Sequence, residues 1–135
     1  MHKKVSISHL TFIVKDIEKS ATLFKVLFDA KEVYDSIDKN FSHSREKFLL
    51  IDDLWIALME GEELRSQTYN HIAFKIEKAE MANYLRQIES LGLSLLSDRS
   101  RIAEEAQSIY FYDYDNHLFE LHTGTLEERL KGYLK

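Results

Sequence analysis

The 135-residue sequence predicts an α+β fold made of two copies of one βαβββ unit. Three observations carry that reading. Each half opens on an alternating apolar segment, SHLTFIVKD or NHIAFKIE, followed by a stretch with helical apolar spacing. Each half then runs through three further segments of strand character. Finally, the halves lie on each other. SHLTFIVKDIEKS over NHIAFKIEKAEMA sets His9 on His71 at an offset of 62 residues, and LWIALMEG over HLFELHTG sets Gly61 on Gly124 at an offset of 63.

In order, the first strand places Ile7, His9, Thr11 and Ile13 on one face and Ser8, Leu10, Phe12 and Val14 on the other. DIEKSATLFKVLFDAKE follows as a helix, with Ala21, Phe24, Leu27 and Phe28 on its apolar stripe. VYDSI, EKFLLID and LWIALME read as strands, broken at Asp38-Lys39-Asn40 and Asp52-Asp53. In the second half NHIAFKIE is a strand. AEMANYLRQIESLG is a helix with Met81, Tyr84, Leu85 and Ile88 on one side and Gly92 as its stop. LSLLS, QSIYFYD and HLFELH are strands, and TLEERLKGYLK is a terminal helix with Thr125 as N-cap. The repeat units span about 7–61 and 70–124, and the terminal helix about 125–134. No linker-like stretch separates the copies, so a single domain over residues 1–135 is expected. The chain has no proline and four glycines, so its turns must rely on Asp, Asn and Ser.

Composition excludes several classes. A formal charge of −5, with no basic stripe interleaved with aromatics, argues against nucleic-acid binding. No apolar run reaches membrane-spanning length, and MHKKVSISHL passes from a basic tail into a strand pattern without a signal-peptide core. With no cysteine there is neither a disulfide framework nor a thiolate metal site. A cytoplasmic location is expected.

The chemistry concentrates in NHLFELH. Alternation puts Leu118, Glu120 and His122 on one face and His117, Phe119 and Leu121 on the other. An unpaired carboxylate buried on an apolar face costs several kcal/mol, so Glu120 needs a partner. The repeat supplies candidates, because His9 and His71 are equivalent while the counterpart of Glu120 is Ala57. Two imidazoles and one carboxylate form the donor set of a catalytic divalent metal with open positions. His122, on the face of Glu120, is a rival ligand. The other reading satisfies each of these groups separately by hydrogen bonds within a core. His117 faces away, and His2 and His43 belong to the tail and a loop.

SHLTFIVKD at the start, TYNHIAF at the midpoint and SIYFYDYDNHLFELHTGTLEERL at the end resemble the vicinal-oxygen-chelate (glyoxalase) superfamily. Within it they are most similar to the fosfomycin-resistance proteins of the hydrolase branch called FosX. The similarity runs from about Ile7 to Leu130. The resemblance implies the vicinal-oxygen-chelate fold in a domain-swapped homodimer whose metal sites are built by both chains. It also implies Mn²⁺, with other divalent metals allowed, and fosfomycin, a small epoxide phosphonate, as substrate. His9, His71 and Glu120 match the metal ligands, with His9 drawn from one chain and the other two from its partner. Glu46, in FSHSREKFLLI, matches the glutamate that activates water, and it shares a strand face with Phe48 and Leu50. Ser108, Tyr110 and Arg129 match phosphonate-binding positions, Arg101 keeps a basic position of the phosphonate loop, and Thr11 and Trp55 match positions lining the substrate cavity. The match breaks at SRIAEEAQS, where the family carries a glycine-containing loop and this chain has Glu104 and Glu105. The resemblance therefore implies a Mn²⁺-dependent epoxide hydrolase conferring fosfomycin resistance. The alternatives are a thiol transferase of the same family and a metal-free protein that binds a small ligand on the same scaffold.

Overall fold

The computed structural model of the chain describes residues 4–37, 44–96 and 107–134. The chain divides into two compact units, Met1–Glu63 and Leu64–Lys135, and the division falls between the two repeat copies.

The first unit runs β1 (His9–Val14), α1 (Ile17–Phe28), β2 (Lys31–Asp35), β3 (Glu46–Ile51) and β4 (Leu54–Glu60). Its sheet has the order β1-β4-β3-β2, with β1 parallel to β4 and the remaining pairs antiparallel. The Asp16 side chain caps α1 by accepting from the Lys19 N–H at 3.0 Å. The helix ends at Asp29, whose backbone is left-handed (φ 54°) and whose N–H returns to the Phe24 carbonyl. Ile17, Ala21, Leu23, Phe24 and Leu27 of α1 are buried, and the helix packs on β3 and β4. Phe12, Val14, Leu49, Ile56 and Leu58 are buried with them. Each such large apolar side chain contributes about 1.5–3 kcal/mol on burial.

Register fixes which residues share the opposite face. His9 pairs with Trp55, Thr11 with Ala57 and Ile13 with Met59, while Glu46, Phe48 and Leu50 of β3 pair with Met59, Ala57 and Trp55. The sequence placed His9 and Thr11 on one face, and Glu46 with Phe48 and Leu50. The structure joins both sets in one face of one sheet.

The second unit runs β5 (His71–Lys75), a 3₁₀ turn at Lys78–Glu80, α2 (Met81–Ser90), β6 (Ser108–Tyr112), β7 (Leu118–His122) and α3 (Leu126–Tyr133). Its sheet has the order β5-β7-β6, with β5 parallel and β6 antiparallel to β7. His71 pairs with Leu118, Ala73 with Glu120, Tyr110 with Glu120 and Ser108 with His122. This register repeats that of the first unit position for position. Ala57 and Glu120 are equivalent, as are Phe48 and Tyr110, and Glu46 and Ser108. Ile88, Ile109, Phe111, Phe119 and Leu121 are buried. Thr125 caps α3 as expected, its Oγ1 accepting from the Glu128 N–H at 3.1 Å.

Two expectations shift. LSLLS is not a strand in the described residues. It contributes one isolated bridge, Leu95 to Phe111, with the Leu96 N–H donating to the Tyr110 carbonyl at 2.8 Å. Half of the Leu95 surface stays exposed, so the segment has no buried face to hold it flat. The first strand starts at His9 rather than Ile7, because the β4 register would set Ile7 against the Asp52-Asp53 turn. The turn chemistry matches the composition: Asp29, Asp52 and Asn116 take positive φ values of 54°, 53° and 71°, a conformation these short polar residues tolerate. Among the described residues, no helix is long and apolar enough to cross a membrane.

Candidate active site

Glu120 lies on the central strand of the second sheet, flanked by β5 and β6, and is 4% exposed. Its Oε2 accepts from the Ser108 hydroxyl at 2.6 Å and lies 3.2 Å from His122 Nδ1, while Oε1 lies 3.0 Å from His71 Nε2. Burial pushes the Glu120 pKa up. The Ser108 hydroxyl, the His122 ring, the Tyr110 phenol and the His71 ring outweigh it and hold the group below the ordinary carboxylate value. Glu120 is therefore an anion.

The two histidines are oriented by their other contacts. His71 Nδ1 is 2.7 Å from the Tyr69 carbonyl, which can only accept, so Nδ1 carries the proton. A bare Nε2 lone pair directed at an anionic oxygen would repel it, and a positive charge at this point, a proton on Nε2 or a metal cation between the two, makes the contact attractive. Ser108 has a single hydroxyl proton, and it goes to Glu120. His122 Nδ1, 2.7 Å from the same oxygen, must therefore donate to Ser108. This commits one nitrogen of the rival ligand His122 to Ser108.

The donors fit a divalent metal: a buried carboxylate anion and an imidazole held by a backbone carbonyl in the tautomer that offers Nε2. Among the described residues, no three His, Cys, Asp or Glu groups gather into a set that could hold one. The second unit supplies two of the three expected ligands, and His9 belongs to the first.

In the first unit His9 stacks on Trp55 with ring centroids 4.1 Å apart, and Ser8 Oγ lies 3.0 Å from His9 Nδ1. The Phe48 ring meets Trp55 edge-on at 5.1 Å and Tyr34 at 5.0 Å, so an aromatic wall adjoins His9. Thr11 lies beside Ala57, the small residue equivalent to Glu120. Glu46, half-buried, opens β3 on this same face, while Lys47 is buried on the opposite one.

The glyoxalase/bleomycin resistance protein/dioxygenase superfamily model matches residues 6–121. The chain is 58% identical to the fosfomycin resistance protein FosX of Listeria innocua over 96% of this chain and 97% of that protein. The chain belongs to this superfamily and, within it, to the FosX family. It is also 36% identical to the metallothiol transferase FosB of Staphylococcus saprophyticus, over 95% of this chain and 83% of that one. A crystal structure of a glutamate-to-glutamine variant of FosX from Listeria monocytogenes, complexed with Mn(II) and 1S,2S-dihydroxypropylphosphonic acid, superposes with a TM-score of 0.87. The two are 49% identical, over 97% of this chain and 99% of that one.

The remaining expected site residues of this FosX-family chain divide clearly. Tyr110 is buried on the face of Glu120, and Ser108 neighbours it there. Arg129 is half-buried on α3 and makes no ion pair among the described residues. Arg101, with Glu104 and Glu105, lies outside the described residues. One residue escaped the sequence reading: Tyr69. Its carbonyl fixes His71, and its hydroxyl donates to the Tyr110 hydroxyl at 3.1 Å. The available signal was spacing, since Tyr69 stands two residues before His71 and so on the same side of an extended segment.

Proposed function

We propose that this chain is a Mn²⁺-dependent epoxide hydrolase that adds water to fosfomycin and thereby confers resistance to it. The observation that carries the reading is the pairing of His71 Nε2, aimed by the Tyr69 carbonyl, with the buried Glu120 carboxylate, two donors that a metal cation can join. The similarity to FosX supports the substrate, and the diol bound by the Listeria monocytogenes relative is what water addition to that epoxide yields.

His71 and Glu120 would hold the metal together with His9 of the partner subunit in a homodimer, within a single domain per chain. Bound there, Mn²⁺ supplies Lewis acidity to the epoxide oxygen as negative charge develops on it. Glu46 removes a proton from water as its oxygen bonds to an epoxide carbon and the ring C–O bond breaks. The ring oxygen leaves with the electron pair and is then protonated, giving the diol. A positioned base of this kind contributes about 10²–10⁴-fold. Arg129 and Arg101 would bind the phosphonate through guanidinium donors, and Ser108 and Tyr110, whose hydroxyls serve Glu120 in the metal-free chain, would turn to it once a metal holds that carboxylate. Thr11 and Trp55 line the cavity.

The rival is thiol transfer, and Glu46 argues against it by standing on the same sheet face as His9, where a water-activating carboxylate belongs. Incubating the protein with Mn²⁺ and fosfomycin without any thiol, with phosphorus NMR as readout, should yield the diol. Turnover only after a thiol is added would overturn the hydrolase reading. Binding of fosfomycin without product, unchanged by chelation, would replace it with a metal-free binding protein.

A further inference from the structure

Glu46 is the terminal residue of β3, where a strand ordinarily frays. Here both of its backbone groups go to one residue. The Glu46 N–H donates to Ser36 Oγ at 2.9 Å, and the Ser36 N–H donates to the Glu46 carbonyl at 2.9 Å. Regular β2–β3 pairing ends at Asp35 and Lys47. At the next rung the acceptor is the Ser36 hydroxyl rather than its carbonyl, because the chain leaves the strand immediately: Ile37, a β-branched residue, has φ 51°. Ser36 is 3% exposed, so the rung is closed without water.

The residues on either side of Glu46 are anchored on the opposite face. Arg45 holds Asp35 with Nε at 3.2 Å and Nη2 at 2.8 Å, and Lys47 reaches the same carboxylate at 3.3 Å. Asp35 Oδ1 also accepts from the Ile37 N–H at 2.9 Å, which holds the left-handed turn. The Arg45 carbonyl accepts from the Glu60 N–H at 2.9 Å. On a strand, pinning the two neighbours to one face dictates that the residue between them points to the other.

We propose that Ser36 is a positioning residue for Glu46. Its buried hydroxyl closes the last rung of the β2–β3 ladder and, with the Asp35–Arg45–Lys47 cluster, sets the direction of the Glu46 carboxylate. This rests on the reading of Glu46 as the base that activates water. Misplacing a base by a fraction of an ångström slows the chemical step while leaving substrate binding intact, so the signature lies in kcat.

The test is thiol-free, Mn²⁺-dependent fosfomycin hydrolysis by the full-length Ser36→Ala, Ser36→Thr and Glu46→Gln variants, with Mn²⁺ affinity measured alongside. Ser36→Ala should lower kcat about 5- to 20-fold at unchanged KM and unchanged Mn²⁺ affinity, and Ser36→Thr, which keeps the hydroxyl, should restore it. Should the alanine variant fail to fold, the near-isosteric and poorly accepting Ser36→Cys carries the same expectation. A wild-type kcat in the Ala or Cys variant, or a loss that appears in KM or Mn²⁺ affinity instead, overturns the positioning role and leaves the base reading standing. A wild-type kcat in Glu46→Gln overturns the base itself, and the positioning role with it.

Discussion

His71 Nε2 and Glu120 Oε1 lie 3.0 Å apart, and each is oriented from behind, the imidazole by the Tyr69 carbonyl and the carboxylate by the Ser108 hydroxyl. Such outer contacts set the tautomer of an imidazole and the direction of a carboxylate before any cation arrives. Glu120→Gln keeps the shape and removes the charge. It is expected to weaken Mn²⁺ binding by more than about 100-fold, above the range seen for loss of an outer contact alone. Chelation of the wild type should abolish turnover, and added Mn²⁺ should restore it. Electron paramagnetic resonance of free Mn²⁺ measures the affinity directly, and a near-wild-type value for Glu120→Gln would remove Glu120 from the ligand set.

Ser108 has two expected roles that one substitution separates. Its hydroxyl bonds Glu120 at 2.6 Å, so Ser108→Ala should weaken Mn²⁺ binding about 10-fold even without fosfomycin, in addition to any rise in KM. A pH effect follows as well. The folded pKa of Glu120 lies below its ordinary 4.5, so Glu120 stabilises the fold above that pH, and this contribution is lost as pH falls through the folded value. Removing the Ser108 donor raises the folded value, so the acid-unfolding midpoint of the metal-free variant should move to higher pH. If Mn²⁺ affinity stays put and only KM rises, Ser108 serves the phosphonate alone.

Much of this was legible in the sequence for a definite physical reason. Strand alternation and the repeat fixed which faces carry His9, His71, Glu46 and Glu120, and both are properties of spacing. Spacing could not reveal contacts made by backbone groups. Tyr69 acts on His71 through its carbonyl, and Ser36, a serine that looks like any turn residue, meets both backbone groups of Glu46 through its own N–H and hydroxyl. Nor could spacing show that Ser108 stands between Glu120 and His122, because that depends on β6–β7 register. LSLLS differs for another reason: its apolar residues have the strand pattern, but among the described residues no element covers Leu95, which stays half exposed.

Glu46→Gln tests the nucleophile. The substitution preserves volume and the backbone bonds to Ser36 while removing the proton acceptor. Hydrolytic kcat should fall by about 10²–10⁴-fold, with Mn²⁺ affinity unchanged because Glu46 is not among the ligands. Rapid-quench measurement of diol formation would show whether the loss lies in the chemical step. A variant that loses Mn²⁺ in parallel would place Glu46 in the metal site instead.

Lys47 offers a test of stability apart from chemistry. Its ammonium is buried beneath α1 and reaches Glu18 at 2.6 Å, Glu32 at 2.9 Å and Asp35 at 3.3 Å. Burial pushes its pKa down, but the three carboxylates outweigh that and hold it above the ordinary lysine range. Asp35 is held well below the usual carboxylate range, first by the Arg45 hydrogen bond and against the opposing effect of burial. Lys47→Met fills the same space but leaves Glu32 and Asp35 facing each other without the central cation. Glu18 is largely exposed and counts for little. A loss of about 2–4 kcal/mol at neutral pH is expected, below the 3–5 kcal/mol typical of a fully buried broken pair. Both carboxylates have depressed folded pKa values, so the wild-type advantage is complete above their ordinary values of 3.8 and 4.5 and shrinks as pH falls below them. Urea unfolding at pH 7 and near pH 3 should show the gap between wild type and variant narrowing in acid. A gap that persists unchanged would mean that the packing of the lysine stem, not its charge, supports the strand from which Glu46 projects.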